Sequence, residues 1–124
     1  MTRTHPYDRT FTPPMPALMV DVEDLVTGKR HSNELAIVDS GADRTNIPAR
    51  VANNIGAQPV GSIDVYDFQG NFQGTKALYR VRIIIDGVPF NVRASETDGE
   101  LLIGRDLLNM IYLTLNGPKL EFTL

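Results

Sequence analysis

The sequence predicts a mostly β domain with two small helices, and three observations carry that prediction. Tyr79, Val81, Ile83 and Ile85 alternate with other residues in a period of two, the mark of a strand with one face in the core. Asp86-Gly87 is a strong hairpin turn, after which Val88, Phe90, Val92 and Ala94 alternate on the way back. Helix punctuation is confined to two short stretches, one opening at Pro48 and stopping at Gly56, the other following Gly104.

Taken in order, the first fourteen residues are polar and carry Pro6, Pro13 and Pro14, so residues 1–15 read as an N-terminal arm and 16–124 as the domain. Ala17 to Val22 reads as a strand, TGKRHSN as a polar turn and Glu34 to Val38 as the returning strand. Pro48 to Gly56 is a short helix. Ser62 to Val65 leads into YDFQGNFQG, a glycine-punctuated aromatic hairpin tip. After the Asp86-Gly87 hairpin an apolar run reaches Gly104, a helix of about eight residues follows, and Asn116-Gly117 turns a last hairpin. The chain has no internal repeat and no low-complexity tract.

At 124 residues the length fits one domain with a modest core. With 42% apolar and 22% charged residues and no long apolar run, a membrane protein is excluded from the expectation. A net charge of −3 without a Lys/Arg cluster argues against a nucleic-acid partner. The absence of cysteine removes disulfides, a thiolate nucleophile and Cys-ligated zinc. The N-terminal residues lack the apolar core of a secretory signal, so the expected compartment is the cytoplasm. Asp21, Glu23 and Asp24 crowd one stretch, but with no histidine beside them they read as a solvated turn rather than a metal site. His5 and His31 stand far apart, and no serine has a plausible histidine partner for a nucleophilic triad.

The stretch AIVDSGADRT, residues 36–45, ends an apolar run on Asp39, Ser40 and Gly41. A carboxylate taken out of water without a partner costs several kcal/mol or takes a proton, so an acid at that place is either a turn residue just past the strand or chemistry. Asp-Ser-Gly alone is a common turn composition. A second segment, Leu101-Leu102-Ile103-Gly104-Arg105-Asp106-Leu107-Leu108-Asn109, is again an apolar run closed by glycine before a helix.

Together the two segments resemble the single-domain, retroviral-type aspartic proteases, the retropepsins. Their pattern is two apolar residues, Asp-Thr/Ser-Gly-Ala, and later apolar-apolar-Gly-Arg-Asp/Asn before a helix. The likeness runs from about Pro16 to Leu124. It implies an all-β, closed-barrel-like fold with one or two short helices and a flap hairpin, here Tyr66 to Gln73. The single central glycine of that flap, Gly70, and the eight residues after Asn116 depart from the viral pattern and are closer to bacterial and cellular members. The resemblance also implies Asp39, Ser40 and Gly41 as the catalytic loop. Ala42, Asp43, Phe68, Gly70 and Phe72 would then lie at the substrate, with Gly104 and Arg105 structural and Arg105 paired to Asp43 so as to hold the loop.

Peptide hydrolysis without a metal or a nucleophilic side chain needs one group to take a proton from water and another to protonate the carbonyl oxygen or leaving amine. Two carboxylates sharing one proton do both, because like charges about 3 Å apart cannot both ionise. No second Asp-Ser/Thr-Gly occurs, since Asp86-Gly87 and Asp98-Gly99 read as turns. The second acid is therefore expected from a second copy, with Asp39 meeting its own mate on the axis of a homodimer. The expectation is an aspartic endopeptidase acting on a polypeptide substrate, without cofactor or metal. Two alternatives stand beside it: a non-catalytic dimerisation or peptide-binding module of the same fold, and a glycosidase-like enzyme pairing Asp39 with a different acid of the same chain.

Overall fold

The computed structural model describes residues 2–124. Among the described residues ten strands and two helices follow in the order β1 (Thr4–Pro6), β2 (Ala17–Asp24), β3 (Arg30–Val38), β4 (Asn46–Pro48), α1 (Ala49–Asn54), β5 (Gly61–Tyr66), β6 (Phe72–Ile85), β7 (Val88–Thr97), β8 (Leu101–Ile103), α2 (Arg105–Leu108), β9 (Thr114–Asn116) and β10 (Glu121–Thr123). β2, β3, β8, β4, β7 and β6 pair in that order, and β6 pairs back onto β2, so six strands close into a barrel. Closure removes the exposed edges that an open sheet would leave. Among the described residues β5 pairs with β6 alone, and it carries the hairpin beyond the barrel wall.

The alternation works as the sequence predicts in β6 and in the second half of β7, whereas Val88 is exposed and Phe90 only partly buried near the hairpin turn. Tyr79, Val81, Ile83 and Ile85 are buried, and Val92 and Ala94 face them from β7. Asp86 and Gly87 both take positive φ, 51° and 80°, which matches the right-handed twist of the strands they join. Val20, Val22, Ala36, Ile47, Val51, Ile55, Leu101, Ile103, Leu107 and Phe122 complete one continuous core. At α1, Pro48 supplies the extended residue before the first turn, and Gly56 leaves it at φ +64°.

Four sequence expectations meet a different outcome. Residues expected as an arm form β1, which pairs antiparallel with β10 in a small sheet β1-β10-β9. His5 stacks on the fully buried Phe122 with ring centroids 5.4 Å apart, and Tyr7 packs at 6.1 Å. The polar turn is shorter than expected, because Arg30 to Asn33 already belong to β3. The helix after Gly104 has four residues rather than about eight: the Met110 and Ile111 amides close turns onto the Leu107 and Leu108 carbonyls, and Ile111 and Leu113 then pack against the core while Met110 and Tyr112 are exposed. Asp21, Glu23 and Asp24 are not a solvated turn but the end of β2. There Glu23 pairs with Arg30 and Arg82, and the buried Asp24 accepts the amides of Val26 and Thr27. Among the described residues no helix is long and apolar enough to cross a membrane.

Candidate active site

β3 and β8 run parallel in register, Val38 beside Ile103, and both leave the barrel at the same level. Asp39 is the first residue beyond β3, and its amide still donates to the Ile103 carbonyl at 3.0 Å. The strand therefore ends one residue before the acid, and the carboxylate stands half-buried at the barrel mouth rather than in the core.

From there the chain turns tightly. The Gly41 amide donates to Asp39 Oδ1 at 2.9 Å, and the Ala42 amide donates to the Asp39 carbonyl at 3.1 Å. A Cβ on Gly41 would sit 3.1 Å from that same Oδ1, so the glycine permits the approach of amide to carboxylate. The loop is held from the other segment. The Arg105 amide donates to the Ala42 carbonyl at 2.9 Å, its guanidinium donates to the Ser40 carbonyl at 3.0 Å, and it also pairs with Asp43. It is thus the carbonyl of Ser40 that Arg105 grips. Gly104 lies against the backbone of Arg44 so closely that a Cβ would meet its carbonyl carbon at 2.5 Å.

Two residues of this junction went unread in the sequence. Thr45 is fully buried; its amide and hydroxyl both donate to Asp106 Oδ1, at 2.9 and 2.7 Å, and the hydroxyl accepts the Gly104 amide at 3.2 Å. The same Oδ1 takes the Leu107 amide at 2.9 Å. The signal for Asp106 was present in the Gly104-Arg105-Asp106 run. For Thr45, a polar residue in a polar stretch, there was none.

Ala42, Asp43 and Phe68 line one cleft of about 380 Å³ with Gly41, Arg44, Asn46, Ile63, Val65, Lys76, Glu96 and Thr97. The β5–β6 hairpin forms one wall, so its tip stands beside the Asp39 loop. That tip is organised by Asp67, whose carboxylate accepts the amides of Gln69 and Asn71 at 2.9 and 2.8 Å. These bonds, the Asn71 amide foremost, hold its acid below the usual carboxylate range. Phe68 stands solvent-exposed at the open rim of the cleft, while Gly70, at φ +84°, and Phe72, edge-on to Tyr66 at 5.7 Å, lie on the hairpin outside the cleft lining. Glu96 accepts from the Tyr79 hydroxyl at 3.3 Å; burial first, and the Glu96 charge second, raise the Tyr79 phenol above its ordinary range.

No protein-family model matches the sequence, and no curated protein matches it significantly. Solved structures do match in fold. The EIAV protease complexed with the inhibitor HBY-793 is 19% identical, with 82% of this chain and 93% of that one covered at a TM-score of 0.54. The simian foamy virus (mac) protease is 15% identical, with 76% and 92% covered at 0.55. The retroviral protease-like domain of Ddi1 from Leishmania major is 18% identical, with 84% of each chain covered at 0.51. The chain has the retropepsin-like fold.

Proposed function

We propose that the protein is an aspartic endopeptidase whose active site forms between two copies, each giving one Asp39. A single observation carries this reading: Asp39 presents its carboxylate at the barrel mouth beside a hairpin-walled cleft, while the acids of that cleft and of the loop's anchoring segment are otherwise engaged. Asp43 is held by Arg105, Asp106 by Thr45 and Leu107, and Glu96 by Tyr79. A second carboxylate free to share a proton with Asp39 comes most simply from a symmetry mate.

In that arrangement one carboxylate takes a proton from water as the oxygen attacks the scissile carbonyl, and the protonated partner gives its proton to the carbonyl oxygen. Collapse of the tetrahedral intermediate returns the proton on the former carbonyl oxygen to the partner carboxylate and breaks the C–N bond, while the carboxyl that took the proton of water delivers it to the leaving amine. The Gly41 amide orients the carboxylate throughout. The flap excludes water and aligns an extended peptide in the cleft.

The test is digestion of a peptide library by the wild type and by Asp39→Asn from acidic to neutral pH, followed by mixing the two after subunit exchange is verified with tagged chains. Equal mixing leaves about a quarter of dimers with both aspartates, so activity per wild-type chain falls to about half. Cleavage that survives Asp39→Asn overturns the catalytic assignment. Activity per wild-type chain untouched by added mutant places a complete site in each chain. Peptide binding without cleavage by the wild type gives the non-catalytic module.

A further inference from the structure

On the outer face of the β6–β7 ribbon, Arg80 stands directly opposite Arg93, and Arg82 opposite Asn91. Like charges in directly opposed sheet positions repel. Arg82 is neutralised by Glu23 at 2.8 Å, and Glu23 also takes Arg30 at 3.0 Å. Arg80 and Arg93, one step along the same face, enter no ion pair among the described residues and are both exposed. The acid of the adjoining turn, Asp24, is buried and spent on the Val26 and Thr27 amides at 3.1 and 2.7 Å. Arg44 adds a further cation beside the pair, its guanidinium reaching the Arg93 carbonyl at 3.4 Å.

The two arginines border a cleft of about 500 Å³ whose other lining residues are Leu25, Val26, Asn91 and Val92. Val26 is 84% exposed at the tip of the β2–β3 turn, an apolar wall beside two uncompensated guanidinium groups. Planar guanidinium forks match a carboxylate in charge and geometry, while the apolar wall has no use for a bare inorganic anion. We propose that Arg80 and Arg93 clamp the carboxylate of an acidic peptide segment whose neighbouring apolar side chain lies against Leu25 and Val26. The site is separate from the Asp39 cleft and does not depend on cleavage.

Binding is measured with Asp39→Asn protein, so that no probe is cut, using fluorescein-labelled peptides of alternating Glu and Leu, Gln and Leu, or Glu and Ser, by fluorescence anisotropy. The Glu-Leu peptide should bind about tenfold tighter than the other two and weaken as salt rises. Arg80→Gln with Arg93→Gln should abolish that advantage, and Lys119→Gln should leave it intact. Since the double variant removes an uncompensated like-charge pair, it should melt no lower than its parent, which separates lost binding from lost fold. Equal binding of Glu-Leu and Gln-Leu peptides, or unchanged binding by the double variant, overturns the proposal. Glu-Ser binding as tightly as Glu-Leu, with displacement by inorganic phosphate, overturns it in favour of a small-anion site.

Discussion

Thr45 and Asp106, 61 residues apart in the chain, are joined by a hydroxyl-to-carboxylate hydrogen bond of 2.7 Å beneath the Asp39 loop. The hydroxyl is at once donor to Asp106 and acceptor of the Gly104 amide, so it ties the loop after β3 to the start of α2. Thr45→Val keeps the shape but leaves the buried Gly104 amide without its acceptor and takes one of three donors from Asp106 Oδ1, which keeps the Thr45 and Leu107 amides. The expected loss is about 1–3 kcal/mol of stability in urea denaturation. Asp106→Asn retains an acceptor oxygen and should cost less. A Thr45→Val midpoint equal to wild type would show that the junction gains nothing from the bond.

The two glycines of the site separate packing from chemistry. A methyl at Gly104 would collide with Arg44 backbone on a carbonyl carbon, oxygen and nitrogen at 2.5, 2.6 and 2.9 Å, and neither chain can retreat without opening the junction. Gly104→Ala should lose about 3 kcal/mol or more. At Gly41 the methyl meets only the Asp39 side chain, at 3.1 Å. Gly41→Ala should therefore stay within about 1 kcal/mol of wild type while displacing the carboxylate, so that cleavage falls with the fold intact. Equal melting of the two variants would contradict this division.

Arg105 is bonded to more than its acid. The Asp43 side chain is 88% exposed, so the pair is a surface ion pair, worth about 1 kcal/mol at most. Asp43→Asn should barely move the denaturation midpoint. Arg105→Ala also releases the Ser40 carbonyl, and should lower kcat well beyond what Asp43→Asn does. Identical kinetics of the two variants would mean that the ion pair alone holds the loop.

Legibility in the sequence followed the range of the forces. The β6–β7 ribbon announces itself because its alternation and its Asp86-Gly87 turn are local, and the Asp39 and Gly104 segments because each joins an apolar strand to a glycine. β1 was hidden because three polar, proline-bearing residues become a strand only when Thr123, 119 positions away from Thr4, lies alongside. Burial of Thr45 and the convergence of Lys76 and Glu96 on the cleft depend likewise on barrel closure, which no local pattern records. For α2, leucines that suit a helix were followed by an inward Ile111 and Leu113, and core packing overrode propensity.

Acid sensitivity of the fold should centre on Glu34, only 6% exposed on β3. Both its oxygens accept from the Arg50 guanidinium, at 2.7 and 2.5 Å, and Oε1 also meets His31 Nε2 at 2.9 Å. The Asn54 side-chain amide lies 2.8 Å from His31 Nδ1, so the network joins α1 to β3. Hydrogen bonds from Arg50 first, and the bond from His31 after them, hold the Glu34 acid below the usual glutamate range against the opposing effect of burial. Because the folded group gives up its proton more readily than the unfolded one, its contribution is present above the ordinary value of about 4.3 and disappears as pH falls through the lowered folded value. Urea denaturation across that window should show wild-type stability falling with acid, and Glu34→Gln should start lower at neutral pH and fall less steeply. The exposed Arg50 is rehydrated in the variant, so the changed slope reports the carboxylate rather than a stranded cation. An acid limb of the same steepness in both proteins would place the titrating group elsewhere.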